Sequence, residues 1–442
     1  MPGPSERPAG RRPLRAVAAW GGVLAALAVL AWQIAAWWAE RPLSFEGYLG
    51  PTCGKSVDAR YRDAVPRVEN QIRAMAFSRR IPGLSVAVGV RGRIVYQEGF
   101  LYADREAGRR ACPETQFRVG SVSKLFTVAA MARLAEAGAL DLDVPVQRYV
   151  PSFPPRGAPI TAALLASHRA GIRPYRDDRE AIDTTRYPTV TASLRRFETD
   201  PLVAAPGTRF VYSNYGYVLL SAAIEGAAKQ DFLTFVRRAV FTPLGMRSTV
   251  PDEVGADLPD RATTYDTDTA FSPDGRLARS PAGDFSGRWA SGGFLSTTPD
   301  LVRFGSAFVA RDSAGTPFLS PRTIAMLFRP RSGLPPLAGY GMGWMTATDL
   351  HLRRVHFQLG TGSGGTAVLA VYPGPDVVVA VAANLGDARI PFRALVNVVR
   401  PFLPTPWLDL IVTCLAAAYL WVFVVRRVAR ARRASPAGHR AV

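Results

Sequence analysis

The chain has 442 residues, 48% of them hydrophobic, and 54 Lys and Arg against 35 Asp and Glu give it a net charge of +19. That size and apolar content exclude a disordered chain and supply a core for one large domain or two modest ones. The charge does not make a nucleic-acid binder: it is almost all arginine, Lys55, Lys124 and Lys229 are the only lysines, and no aromatic-basic interleave accompanies it.

Taken in chain order, residues 1–15 form a basic tail with Arg7, Arg11, Arg12 and Arg15. Residues 16–39 are uncharged and would make about 36 Å of helix, so the sequence predicts a transmembrane anchor there. A cleaved signal peptide competes, but it would place Trp37 where a small residue is needed before the cut at Ala39. A second apolar stretch, 406–425, predicts another transmembrane helix and runs into Arg426, Arg427 and Arg430 of a second basic tail, 426–442. Arginine beside both spans places both termini in the cytoplasm and the intervening domain outside. The expected setting is therefore a bacterial inner membrane, with the lipid bilayer as a partner.

Residues 41–60 read as a linker and 61–402 as the folded domain. A helix is expected over 61–79, then a hairpin of LSVAVGV and RIVYQEGF across Arg91-Gly92. Cys53 and Cys112 face an oxidising compartment in this topology and are candidates for a disulfide, although sequence does not show that they meet. Residues 121–137 carry apolar side chains at helical spacing and stop at Gly138. Residues 173–190 and 251–285 read as loops. A second hairpin, Thr366–Tyr372 with Val377–Ala382, flanks Pro-Gly-Pro-Asp, and Pro391 opens a last helix. Strands near both ends with helices between them predict an α+β domain, an antiparallel sheet flanked by helices. Only His168, His351, His356 and His439 are present, without metal-ligand spacing, so no metal and no cofactor are expected. His168 reads as a structural residue, and His351 and His356 as ordinary positions on a strand edge.

Three motifs carry chemistry. Ser121-Val122-Ser123-Lys124 begins the helix, and a spacing of three puts the hydroxyl and the amine on one face, where the amine can take the serine proton. Tyr212-Ser213-Asn214 is the only Tyr-x-Asn; a tyrosinate beside an ammonium can act as a base, and Asn214 can hydrogen-bond a substrate amide or the lysine. The third is Gln358-Leu359-Gly360-Thr361-Gly362-Ser363-Gly364-Gly365. It matches a dinucleotide fingerprint in letters only, because a strand and not a helix follows. Its glycines suit close backbone approach to a ligand, and an N–H there could join that of Ser121 in an oxyanion hole. No G-x-S-x-G elbow and no convincing Ser-His-Asp set offers another hydrolase class.

The order of these motifs, with the stretches FRVGSVSKLFTVAAMARLAEAG, YSNYGYVLLSAAIE, WASGGFLSTTPDLVRF and YGMGW, resembles the serine β-lactamase-like hydrolases over roughly residues 60–400. That family takes in class C β-lactamases, D-alanyl-D-alanine carboxypeptidases and related esterases; the likeness is greatest to its mitochondrial β-lactamase-like branch and bacterial relatives. It implies a β-lactamase/DD-peptidase-like fold with a helical subdomain. It makes Ser121 the nucleophile of an acyl-enzyme, Lys124 and Tyr212 the base pair, Asn214 and Gln358 substrate-side residues, and the Ser121 and Thr361 amides the oxyanion hole beside Gly360. Gln358-Leu359-Gly360 departs from the family's usual Lys-Thr-Gly or His-x-Gly, and a neutral amide cannot hold a carboxylate as an ammonium does. A small peptide, ester or β-lactam-like compound is the expected substrate. A catalytically weak membrane protein with a binding or scaffold role is the alternative.

Overall fold

β-Branched runs separated by tight turns pair where the sequence places them. In the computed structural model, which describes residues 11–39, 49–267, 276–309, 317–334, 338–349, 351, 353–390, 392–404 and 407–434, the chain divides into two units, Pro42–Leu403 and the pair of ends Met1–Arg41 with Pro404–Val442.

The larger unit is built on a ten-stranded antiparallel sheet. Its strands are β1 (Thr52–Val57), β2 (Gly83–Val90), β3 (Arg93–Asp104), β4 (Ser332–Leu334), β5 (Ala338–Tyr340), β6 (Met345–Thr348), β7 (Arg354–Gly362), β8 (Gly365–Tyr372) and β9 (Val377–Ala383), with Arg109–Arg110 paired to β3. The path across it is β1-β3-β2-β9-β8-β7-β6-β5-β4. The two expected hairpins, β2–β3 and β8–β9, are joined through β9 and β2, in register from Val377 opposite Val90 to Ala383 opposite Leu84. Strands from both ends of the domain thus close the centre of one sheet.

Period-two alternation explains how both faces are covered. On β8 and β9, Val368, Ala370, Val377 and Val379 point to one layer; Leu369, Val371, Val378 and Ala380 point to the other. The first layer holds α1 (Val65–Arg79), whose Val68, Ile72 and Met75 recur at helical spacing and are buried. The second holds the long buried helices α2 (Ser123–Glu136) and α3 (Asn214–Ala228) and the shorter α4 (Thr298–Ser306). The last helix of the unit, α5 (Phe392–Val399), returns to the first layer through Leu395 and Val398. A fully buried side chain such as Leu369 contributes about 2–5 kcal/mol against truncation to alanine. Cys53 on β1 and Cys112 are joined in a disulfide with Cα atoms 4.8 Å apart.

The smaller unit consists of helices Arg11–Ala39 and Trp407–Ala434. Trp20 meets Phe423 edge-on with ring centroids 5.4 Å apart, and the Arg427 guanidinium lies 5.0 Å over the Trp20 ring. Among the described residues no helix is long and apolar enough to cross a membrane. This overturns the two expected transmembrane helices, and with them the bilayer as partner and the placement in a bacterial inner membrane. The expectation rested on absence of charge, which is not the same as strong hydropathy. Residues 16–39 are dominated by alanine, with Trp20, Trp32, Trp37 and Trp38 and the pair Gly21-Gly22. Such residues gain much less in hydrocarbon than Leu, Ile, Val or Phe. The second helix continues past Arg426 and Arg427, so its apolar part is only a portion of its length. The tails 1–10 and 435–442, residues 41–48 of the expected linker and Pro391 lie outside the described residues.

Candidate active site

A turn of 3-10 helix, Gly120–Val122, leads into α2 and presents Ser121 at its start. Gly120 has φ +49°, and a Cβ on it would come within 2.9 Å of the Thr361 nitrogen, so glycine is required by both backbone conformation and space. One turn on, Lys124 Nζ lies 2.9 Å from Ser121 Oγ, 2.7 Å from Asn214 Oδ1 and 2.8 Å from the Ser291 carbonyl oxygen. The side chain is completely buried, and no carboxylate is among these partners. Burial, with the nearby charge of Arg288 as a second cause, pushes the amine well below its ordinary 10.5.

The Tyr212-Ser213-Asn214 tripeptide is fixed by its middle residue. Ser213 is the N-cap of α3: its hydroxyl accepts from the Gly216 N–H at 3.1 Å and donates to the Arg173 carbonyl at 2.7 Å. Its own N–H donates to His168 Nδ1 at 3.1 Å. Held this way, the residues on either side of Ser213 converge on one point. Asn214 meets Lys124, and the Tyr212 hydroxyl donates to Ser121 Oγ at 2.8 Å. Lys124 Nζ also stands 4.9 Å from the centre of the Tyr212 ring. Crowding of the phenol by surrounding protein pushes it up to about 12, although Tyr212 as a whole is 37% exposed. The ring's outer edge is open while its hydroxyl end is packed against Ser121 and Gln358. The pair expected as tyrosinate and ammonium is therefore pushed the other way, towards phenol and amine.

His168 lies under the site. Its ring centroid is 4.1 Å from that of Tyr212 and about 5 Å from those of Tyr217 and Tyr340. Burial, then the charge of Lys124, pushes it well below its ordinary 6.5. His356, also buried, stacks on Phe328 with centroids 3.7 Å apart and is pushed down to about 3.

Strand β7 forms the opposite edge. A Cβ on Gly360 would lie 1.9 Å from the Val119 carbonyl oxygen and 3.0 Å from the Ser121 nitrogen, so glycine is what lets β7 approach the nucleophile turn. Ser121 and Thr361 both line a narrow cleft of about 40 Å³, together with Asn214, Phe285, Arg288 and Ser291. Gln358 does not line it. Its side chain is buried, with Nε2 donating to the Ser121 carbonyl oxygen at 3.4 Å, while its neighbour Leu359 is exposed. Two neighbours were not singled out from sequence. Ser291 acts through its carbonyl, which residue type does not reveal; Arg288 stands just before the WASGGFLSTTPDLVRF stretch, in a segment far from the three motifs.

Comparison with known proteins defines the family and the fold. The Beta-lactamase family model matches residues 68–394, and the chain belongs to that family. It is 31% identical over 402 residues, 71% of each chain, to the human protein named serine beta-lactamase-like protein LACTB, mitochondrial. Among solved structures it resembles the octameric penicillin-binding protein homologue from Pyrococcus abyssi, with TM-score 0.67, 28% identity and coverage of 77% of this chain and 78% of that one. The class C beta lactamase from Rhodobacter sphaeroides shares the fold, with TM-score 0.61, 22% identity and coverage of 76% and 99%. The fold is thus the β-lactamase and penicillin-binding-protein type of serine hydrolase. The human relative's name places that protein in mitochondria.

Proposed function

We propose that the chain is a serine hydrolase that forms an acyl-enzyme on Ser121, with Lys124 as general base. The observation that carries this reading is the set of oxygen atoms around Lys124 Nζ. A neutral amine has two N–H groups and one lone pair. Asn214 Oδ1 and the Ser291 carbonyl accept the two N–H groups, which leaves the lone pair for the Ser121 hydroxyl at 2.9 Å. The downward push on the amine favours that neutral form.

The steps follow from this arrangement. The Ser121 proton passes to Lys124 as Oγ attacks the substrate carbonyl carbon. The oxyanion is stabilised by the Ser121 and Thr361 N–H groups. Tyr212, a neutral phenol hydrogen-bonded to Ser121 Oγ, passes a proton to the leaving nitrogen or oxygen and is reprotonated from Lys124. Water then attacks the acyl-enzyme by the same groups in reverse and releases the acid. Family membership supports small amides, esters or β-lactam-type compounds as substrates. Turnover of chromogenic esters, D-amino-acid anilides and a chromogenic cephalosporin by wild type and Ser121→Ala tests the reading. Loss of hydrolysis in the variant, with an unchanged melting curve, is expected; undiminished hydrolysis would overturn it.

A further inference from the structure

Two arginines line the cleft, and only one of them has a counterion. Arg118 Nε is 2.6 Å from Asp252 Oδ2, and its Nη1 donates to the Ser363 carbonyl at 3.0 Å. Arg288 stacks on Phe285, with Cζ 4.2 Å from the ring centre, and donates from Nη1 to the Ala181 carbonyl at 2.6 Å. Its Nε is out of contact with solvent and has no hydrogen-bond partner. Among the described residues no carboxylate forms an ion pair with it.

Arg288 is half-buried, so its charge keeps only part of its hydration, from the cleft side, and receives no opposite charge from the protein in return. An unpaired buried N–H adds a further penalty of about 1–3 kcal/mol. Nothing in the packing of the fold requires this. The neighbouring Arg196 reaches Asp183 at 3.3 Å and has its charge met within the protein. A bound anion would satisfy Arg288 directly. A guanidinium suits that task because its planar fork can meet both oxygens of a carboxylate. In the rest of the cleft Arg118 is paired with Asp252, which it shares with Arg261, Lys124 is committed to Ser121, and the stretch Thr361 to Ser363 is uncharged.

We propose that Arg288 is the specificity-determining residue of this cleft and selects acyl compounds bearing a carboxylate, which it binds from the wall shared with Asn214 and Ser291. This rests on the hydrolase reading above. It also supplies the cation that the third motif lacks, since Gln358 is neutral and donates to the Ser121 carbonyl.

Two ester pairs test it, each matched in length: 4-nitrophenyl hexanoate with the 4-nitrophenyl monoester of adipic acid, and phenyl acetate with 3-carboxyphenyl acetate. The first pair places the carboxylate on the acyl group, the second on the leaving group. In the full chain, kcat/KM is expected to favour the anionic member of at least one pair. Arg288→Gln should lower that anionic-to-neutral ratio at least tenfold, mainly through KM of the anionic ester, and Arg288→Lys should restore part of it. Equal effects on both members of both pairs, or no preference in wild type, would overturn the proposal. Loss of all four activities in Ser121→Ala checks the hydrolase reading separately. Titration calorimetry with adipate reads the site without turnover: binding to wild type that is at least tenfold weaker in Arg288→Gln supports the assignment, and equal affinity contradicts it.

Discussion

Arg173, which is buried, and Arg288, which is half-buried with its Nε out of contact with solvent, both stack on aromatic rings, yet their surroundings are opposite. Arg173, in the segment behind Tyr212, lies 4.9 Å over the Tyr215 ring and is held by Glu180 at 2.7 Å and Asp200 at 2.6 Å. Hydrogen bonding to Glu180, opposed by burial and aided by Asp200, pushes its guanidinium further above the ordinary range. Arg288 has the Ala181 carbonyl, the Phe285 ring and the nearby Tyr175 side chain but no carboxylate, and burial pushes it down. The first arrangement fastens a loop whose charges are complete. The second leaves a charge to be met from outside. Lys124 belongs with the second: it is buried without a carboxylate partner and bonds Ser121, which lines the same cleft as Arg288.

Substitution at Lys124 tests that grouping with the largest expected effect. Lys124→Met should reduce kcat/KM at least about 10³-fold, because the serine loses its proton acceptor and groups acting as a unit fail together. It should also stabilise the fold. A lysine whose folded value lies below its ordinary 10.5 binds fewer protons folded than unfolded between those two values, so wild-type stability rises with pH across that window. The gain from Lys124→Met should be greatest below the folded value and fade as pH approaches about 10.5. A gain that grows with pH contradicts the assignment.

Tyr212→Phe should lower the rate by roughly 10²–10⁴, the range for loss of a positioned proton donor. In wild type, kcat/KM should rise with pH through the folded value of Lys124. With the phenol near 12, the plateau should then extend well into the alkaline range. Activity that keeps rising through the ordinary tyrosine value of 10, with no earlier plateau, would return Tyr212 to the role of base.

Arg173→Ala sharpens the contrast from the other side. It strips Glu180 and Asp200 of their partner and should destabilise the domain by about 2–3 kcal/mol in chemical denaturation, a buried-pair loss discounted for partial exposure. The ratio of anionic to neutral ester turnover should not move. The smallest effect is expected at Gln358: truncation to alanine should slow both esters by the same factor, roughly fivefold, through loss of its bond to the Ser121 carbonyl and its contact with the Tyr212 hydroxyl.

The parts of the site fixed by local geometry were legible before the structure. Ser121 and Lys124 three residues apart on a helix, and a capped Tyr-Ser-Asn turn, carry their arrangement in their spacing. The central hairpins were legible from β-branched runs and turn residues, and the α+β class from their order along the chain. Ionisation was not. Whether Lys124 or Tyr212 holds a proton depends on burial by elements distant in sequence, and on a carbonyl at Ser291 that has no signature in residue type. The role of Arg288 depends on which acids are absent around it, a property of three-dimensional packing. Gln358 was placed on the correct strand, but the face it presents follows from how closely Gly360 brings β7 to Val119. The terminal helices were read as membrane spans from their lack of charge, whereas among the described residues no helix is long and apolar enough to cross a membrane.

The most direct test of the central claim is the intact mass of the full chain quenched in acid during turnover of a slow 4-nitrophenyl ester, followed by peptide mapping. The account predicts an added mass equal to the acyl group, on the peptide containing Ser121, present in wild type, enriched in Tyr212→Phe if deacylation slows more than acylation, and absent from Ser121→Ala. Turnover with no adduct under rapid quench and full activity in Ser121→Ala, or an adduct on any other residue that accounts for the rate, would contradict it.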